Sequence, residues 1–305
     1  MIWFEFKPVD TLFFKGAVQM EKGLDHEAHS IFPPSPHTIS GALRTTLLRQ
    51  RGISISDYNK GKVDEKIIDA IGASGTNAPF NVIGPFIKRG KQVFIPTPFT
   101  WFLDKDEISE NVYQAQPVNS YLIHTNSEKT YWAKGQDSEL VSAGGFWIAS
   151  DKLQQPTRKD IISDNEFFVE EIRTGNALQA NRRVHEGRLY SFTHIRLFDD
   201  VRLVFAIDKP LPIKEKELLM LGGEQRFGNY AIIDEVKIPE GNSGLYMSLT
   251  ILRATKEAEQ HLVATGKLIY RGGWDLHKGF HKPMQAYYPA GTVFDQKINE
   301  NMLEL

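Results

Sequence analysis

The chain has 305 residues, enough for one large domain or two of common size. Its 36 basic and 38 acidic residues give a formal charge of −2, which excludes nucleic-acid binding through bulk positive charge but leaves room for a local basic groove. It has no cysteine, which excludes disulfides, a thiol nucleophile and cysteine-held metal clusters.

The start, Met-Ile-Trp-Phe-Glu-Phe-Lys-Pro, has no basic n-region and no long apolar run, so no signal peptide is expected. No stretch reaches the roughly 20 apolar residues of a membrane span, and a soluble cytoplasmic protein is expected. Ile2, Phe4 and Phe6 alternate with Trp3, Glu5 and Lys7, which predicts a strand ended by Pro8. Residues 15–36 then read as a long loop rich in Gly, His and Pro, and such loops usually carry function.

Pro33, Pro34 and Pro36 hold the next stretch extended, and Ser35 or Thr38 can cap a helix. Ile39, Leu43, Leu47 and Leu48 give that helix its apolar stripe, and Gly52 ends it. A second short helix is predicted over 63–71, before Gly72, and strands over 80–87 and 91–96. Residues 104–165 read as an irregular insertion with short strands, one of them at 145–149. Further on, 187–197 and 201–207 read as a hairpin about Asp199-Asp200, although that dipeptide lacks the usual glycine. A short helix near 214–221 is predicted to run into a glycine-rich loop, Leu221 to Tyr230. Strands are expected near 230–238, 245–252, 262–270 and 286–294. The pattern reads as α+β, with two ferredoxin-like units and an irregular β-rich insertion.

Nucleophile-elbow, P-loop, zincin and kinase motifs are absent. His26 and His29 lie beside Asp25 and Glu27, where a solvated polar loop is a plainer reading than a metal or acid–base site. His277 and His281 sit beside Lys278 and Lys282, which suits anion contact better than metal binding. Gly222 and Gly223 allow a backbone to approach an anion or a base closely; Arg226 brings charge and Phe227 a stacking face. The plainer reading of these glycines is a tight turn. Residues 172–188 set Arg173, Arg182, Arg183 and Arg188 against the single acid Glu186. Residues 265–285 set Lys267, Arg271, Lys278 and Lys282 against Asp275. Tyr190, Phe192, Phe227, Tyr230, Tyr270, Trp274 and Phe280 are interleaved with these basic segments. Stacking combined with backbone charge is how single-stranded RNA is held, though Phe192 and Tyr270 read more simply as strand core.

Three segments together resemble one family. The run Phe32 to Arg44 resembles the proline-then-helix opening of the RAMP proteins of CRISPR systems. Arg182 to Tyr190 and Leu221-Gly222-Gly223-Glu224 resemble that family's central strand and glycine-rich loop. Gly272 to Leu276, with Pro289 to Phe294, resembles the C-terminal signature of the third subunits of the type III-B Cmr complex. The resemblance implies a RAMP-like ferredoxin unit over 1–103 completed by later strands and a second such unit over 166–305, set apart by the irregular insertion over 104–165, which matches no part of the family pattern. It implies a non-catalytic subunit that holds the 5′ handle of the CRISPR RNA in antiviral defence. Its implied partners are the large polymerase/cyclase-like subunit and the backbone RAMP subunit; no cofactor, metal or DNA binding of its own is expected.

The residues themselves suggest how RNA would be held. The helix start offers N–H groups and a dipole to phosphate, with Ser35, His37, Thr38 and Ser40 as donors and Arg44 one turn on. Gly222, Gly223, Gln225, Arg226 and Phe227 would meet backbone and bases. Arg182, Arg183, Arg188, Trp274, Lys278, His281 and Lys282 would complete the groove. The alternative is a metal-independent RAMP endoribonuclease that uses His26 or His29 as general acid or base.

Overall fold

The computed structural model describes residues 1–16, 27–106, 109–118, 131–133, 139–178, 183–275 and 278–305. The fold is α+β, rich in strands and poor in helices. The chain divides into two compact units, each assembled from separate stretches. The first comprises Met1–Lys91, Phe167–Val236 and Tyr270–Gln285; the second comprises Gln92–Glu166, Lys237–Ile269 and Ala286–Leu305. The segment read as an insertion falls in the second unit, while residues 166–305 contribute to both. No helix among the described residues is long and apolar enough to cross a membrane.

In the first unit, β1 (Ile2–Pro8), β2 (Glu27–His29), α1 (Pro36–Gln50), α2 (Ile55–Asn59), α3 (Glu65–Ile71) and β3 (Val82–Arg89) come first. Then follow β4 (Phe168–Leu178), β5 (Val184–Leu197), β6 (Val201–Ile207), β7 (Lys216–Met220), β8 (Phe227–Ile233) and most of β9 (Ile269–Asp275) and β10 (Phe280–Tyr288), of which Ile269 and residues 286–288 fall in the second unit. The strands β3-β6-β1-β8-β7 lie side by side in that order, and every neighbouring pair is antiparallel. The alternation in β1 buries Phe4 and Phe6; Phe4 stacks on Phe205 at 5.2 Å and meets Tyr230 at 5.9 Å. The helix α1 buries Ile39, Leu43, Leu47 and Leu48 and packs on β3 and β7. Its cap is Ser35, whose Oγ accepts from the Thr38 N–H at 3.2 Å, with Pro36 in the first turn. A second sheet has the order β4-β5-β2, with β4 antiparallel and β2 parallel to β5.

Two expectations are corrected. The runs at 187–197 and 201–207 are strands but do not form a hairpin: β5 pairs with β4 and β2, while β6 pairs with β1 and β3. Asp199-Asp200 lacks the left-handed residue of a tight hairpin turn, and β6 is apolar apart from Arg202 and buried on both faces, as befits a strand inside a covered sheet. The predicted helix at 214–221 is the strand β7. Leu219 and Leu221 are buried while Leu218 and Met220 are exposed, so the period is two. The helix α2 was not anticipated; it is a single turn capped by Ser54.

The second unit is mostly short strands. Leu262–Ala264, Val293–Phe294, Tyr246–Ser248 and Met302–Glu304 form a sheet over a core of Ala258, Tyr288, Phe294 and Met302. The strand expected at 145–149 is Trp147–Ala149.

Candidate nucleic-acid interface

The stretch from Leu12 to Gly16 joins the segments that carried the sequence argument. The Leu12 N–H donates to the Ile195 carbonyl of β5 at 2.8 Å, and the Gly223 N–H donates to the Phe13 carbonyl at 2.8 Å. The Ile31 N–H, just before the proline run, donates to the Phe14 carbonyl at 2.9 Å. The strand β5, the glycine-rich loop and the approach to α1 therefore share one backbone scaffold.

Because β7 is a strand, the glycine-rich loop is a β7–β8 hairpin turn. The Leu221 N–H donates to the Arg226 carbonyl at 2.9 Å, and the Arg226 N–H to the Gly223 carbonyl at 3.2 Å. Glu224 and Gln225 have φ of 53° and 54°, the left-handed pair of a type I′ turn. Gly222 has φ of 99°, and a Cβ there would lie 2.5 Å from the Phe13 carbonyl oxygen. The two glycines thus let the loop close onto Phe13. The Gly223 amide is already bonded there, which corrects the reading of the pair as an anion cradle.

Arg226 donates from Nη1 to Asp10 Oδ2 at 3.1 Å, and Phe227 beside it is 42% exposed. Asp10 also takes Arg173 and Arg196, each at 3.0 Å, and Glu171 takes the same two arginines at 2.7 and 2.6 Å. Three guanidiniums around two carboxylates leave one positive charge. Burial works against the charged form of Asp10, but Arg173, the Thr11 amide and Arg196 outweigh it and hold the carboxyl below the usual range. Hydrogen bonds from Arg196 and Arg173 do the same for Glu171. His194 is buried, 3.2 Å from Thr11 Oγ1; burial, then Arg226 and Arg173, depress its pKa. Asp10, Glu171, His194 and Arg196 were missed as site residues. The signal was the alternation Tyr190, Phe192, His194, Arg196 along one face of β5. On that face Phe13 stacks on Phe192 and Tyr190 meets Phe192 at a tilt, both at 4.9 Å, and Tyr190 lies against Gly175 on the facing strand.

At the start of α1, His37 Nε2 and Lys282 Nζ stand 3.1 Å apart, bringing together two expected residues that are 245 apart in sequence. The ring keeps an exposed edge, yet protein crowds round it. That desolvation, followed by the charges of Lys282 and Arg44, holds its pKa below the ordinary value. Arg271 Nη2 donates to the Pro33 carbonyl at 3.3 Å. Ser35 and Thr38 are within hydrogen-bond reach of each other, Oγ to Oγ1, at 3.0 Å. Two expected phosphate contacts are turned inward. Ser40 is 8% exposed, on the packed face of α1. Arg44 donates to the Ala73 and Thr76 carbonyls, each at 2.8 Å, and to the Tyr58 hydroxyl, with its guanidinium 5.8 Å from that ring's centre.

Arg183 and Lys278 are exposed. Arg182, His26 and His277 lie outside the described residues, as do the side chains of Arg188, Trp274 and His281. The exposed His29 ring lies 3.3 Å from Thr193 Oγ1 and 3.8 Å from Glu27. No group of three or more metal-ligating side chains occurs among the described residues.

Comparison with known proteins bears on this geometry. Among curated proteins none matches the chain. Two similar solved structures are chains of the type III-B Cmr-beta complex. One, bound to cognate target RNA and AMPPnP, aligns with a TM-score of 0.60 and 16% identity over 96% of this chain and 85% of that one. The other, bound to cognate target RNA, gives 0.58 and 16% over 96% and 86%. At this identity the likeness shows a shared fold. The family model described as CRISPR-associated protein (Cas_Cmr3) matches residues 4–243, which take in α1, the charge cluster about Asp10 and the β7–β8 turn. The chain belongs to that Cmr3 family of CRISPR-associated proteins.

Proposed function

We propose that this chain is a non-catalytic RNA-binding subunit of a type III-B CRISPR effector complex, acting in the cytoplasm in antiviral defence. It holds the 5′ handle of the CRISPR RNA and links the large polymerase/cyclase-like subunit to the backbone RAMP subunits. Family membership and the fold shared with Cmr-beta chains seen with target RNA support the setting. The observation that carries RNA binding is the His37–Lys282 contact: an imidazole and an ammonium meet at the head of α1, and the charges acting on His37 include no carboxylate. Such a pair favours a phosphate.

The fold of the first unit supports a RAMP-type ferredoxin-like reading. In chain order β1, α1, β3, β6 and β8 supply strand, helix and three strands; the sheet order is β3-β6-β1-β8, all antiparallel. The strand β7 then stands where a second helix would precede β8.

The test is guide-RNA retention by the assembled complex across a salt series. Lys282→Glu is expected to weaken retention and to reduce the salt slope by about one phosphate's share. Unchanged affinity and slope would refute a phosphate contact here.

A further inference from the structure

An ammonium has three N–H donors and no lone pair, so the 3.1 Å contact makes His37 Nε2 the acceptor and Lys282 the donor. The ring is therefore neutral, with its proton on Nδ1. The charged groups that act on it are Lys282 from β10 and Arg44 from its own helix. Arg271 from β9 donates to the Pro33 carbonyl, four residues before His37.

An incoming anion reverses the local balance, because a negative charge beside an imidazole favours the imidazolium. We propose that a phosphodiester phosphate seats between His37 and Lys282, and that His37 takes up one proton from solvent as it binds. This rests on the RNA-binding reading above and adds its proton coupling. The balance closes: the Lys282-to-Nε2 hydrogen bond breaks, Nε2 gains the proton, and both nitrogens then donate to phosphate oxygens. One negative charge arrives with one proton. The phosphodiester stays ionised throughout the neutral range, so the proton resides on the protein.

The sign follows from linkage. The free ring is held neutral by desolvation, Lys282 and Arg44, and the bound ring is favoured as imidazolium. Affinity is then highest at low pH and falls as pH rises through the bound ring's pKa, by at most about tenfold per pH unit. Below the free ring's pKa the dependence flattens, because the proton is already present.

The test is calorimetric titration of the full chain with a short single-stranded RNA of mixed sequence, at one pH, in two buffers of different ionisation enthalpy. The expected wild-type result is net uptake of up to about one proton. His37→Asn should still bind RNA, more weakly, with that uptake lost. Lys282→Ala should bind more weakly with smaller uptake, since the free ring then protonates more readily. His261→Gln, in the other unit, should leave the uptake intact. Binding without uptake in the wild type, or uptake that survives His37→Asn, overturns the proposal while the RNA reading stands. A wild-type chain that binds no RNA overturns the RNA reading as well. If His37→Asn fails to fold, the imidazole resonance of wild-type His37 is titrated by NMR with and without the RNA. A pKa raised by RNA supports the proposal; an unmoved one overturns it.

Discussion

Asp10 and Arg226 lie 216 residues apart in sequence and meet at 3.1 Å, tying the end of β1 to the β7–β8 turn. Arg226 is the third guanidinium on a carboxylate that already holds Arg173 and Arg196. Its Nε is buried without a partner, so the side chain is fixed from its outer end only. The arginine that reads from sequence as an RNA contact thus has a first duty inside the fold: it holds the turn against β4 and β5.

Asp10→Asn tests that duty. Glu171 would keep Arg173 and Arg196, Arg226 would lose its carboxylate, and one acid would be left among three guanidiniums. The side chains are partly exposed, so water screens much of the effect, and the expected loss is about 1–2 kcal/mol. Urea unfolding measures it; an unmoved midpoint would remove the cluster from the account of stability.

Acid should weaken this unit in two stages. The His194 pKa is depressed in the fold, so the unfolded chain binds its proton first, and stability falls as pH drops below about 6.5. The carboxyls of Asp10 and Glu171 are also lowered, so their contribution is complete above the ordinary carboxylate range near 4 and is lost as pH falls through their folded values. Unfolding midpoints taken from neutral to acid pH should show both stages, and His194→Gln should flatten only the upper one.

What the sequence made legible was local. The prolines, the Ser35 cap and the four-residue spacing of Ile39, Leu43 and Leu47 specify α1 without help from elsewhere, and the alternation from Ile2 to Lys7 specifies β1. Sheet partners are chosen at long range, and there adjacency misled: β5 and β6 follow each other in the chain yet enter different sheets. The site divided the same way. His37 and Lys282 were picked out by type and do meet. Arg44 was picked out by its place on α1, and nothing local shows that Tyr58 and the carbonyls of Ala73 and Thr76 wait at its end.

Two strand glycines should differ sharply in cost. A Cβ on Gly228 would strike the backbone carbonyl of Lys7 on the paired strand β1 and lie 2.6 Å from the Phe6 ring. On Gly175 it would lie 2.5 Å from the Tyr190 ring, whose side chain can swing away. Gly228→Ala is therefore expected to cost roughly 3 kcal/mol or to prevent folding, and Gly175→Ala about 1–2 kcal/mol. Equal melting temperatures for the two variants would contradict this ranking.

Arg44→Lys separates fold from binding. Lysine keeps the charge near His37 but cannot span the Ala73 and Thr76 carbonyls and the Tyr58 hydroxyl as the guanidinium does. Stability should drop by about 1–2 kcal/mol, with faster amide exchange around residues 73–76 and little change in RNA affinity. A large loss of affinity with unchanged exchange would return Arg44 to the proposed RNA contact.

Gln225→Gly addresses the strained turn. Two consecutive L-residues with φ of 53° and 54° each hold a conformation that costs about 1–2 kcal/mol relative to the right-handed region, and glycine removes most of that cost. Part of the gain is offset by the greater freedom of glycine in the unfolded chain, so a net stabilisation of about 0.5–1 kcal/mol is expected, read as a higher melting temperature. The same variant reports on the side chain itself. If Gln225 contacts RNA, affinity falls while stability rises, the exchange expected where a local strain serves binding. If affinity holds, the Gln225 side chain is no part of the proposed RNA contact.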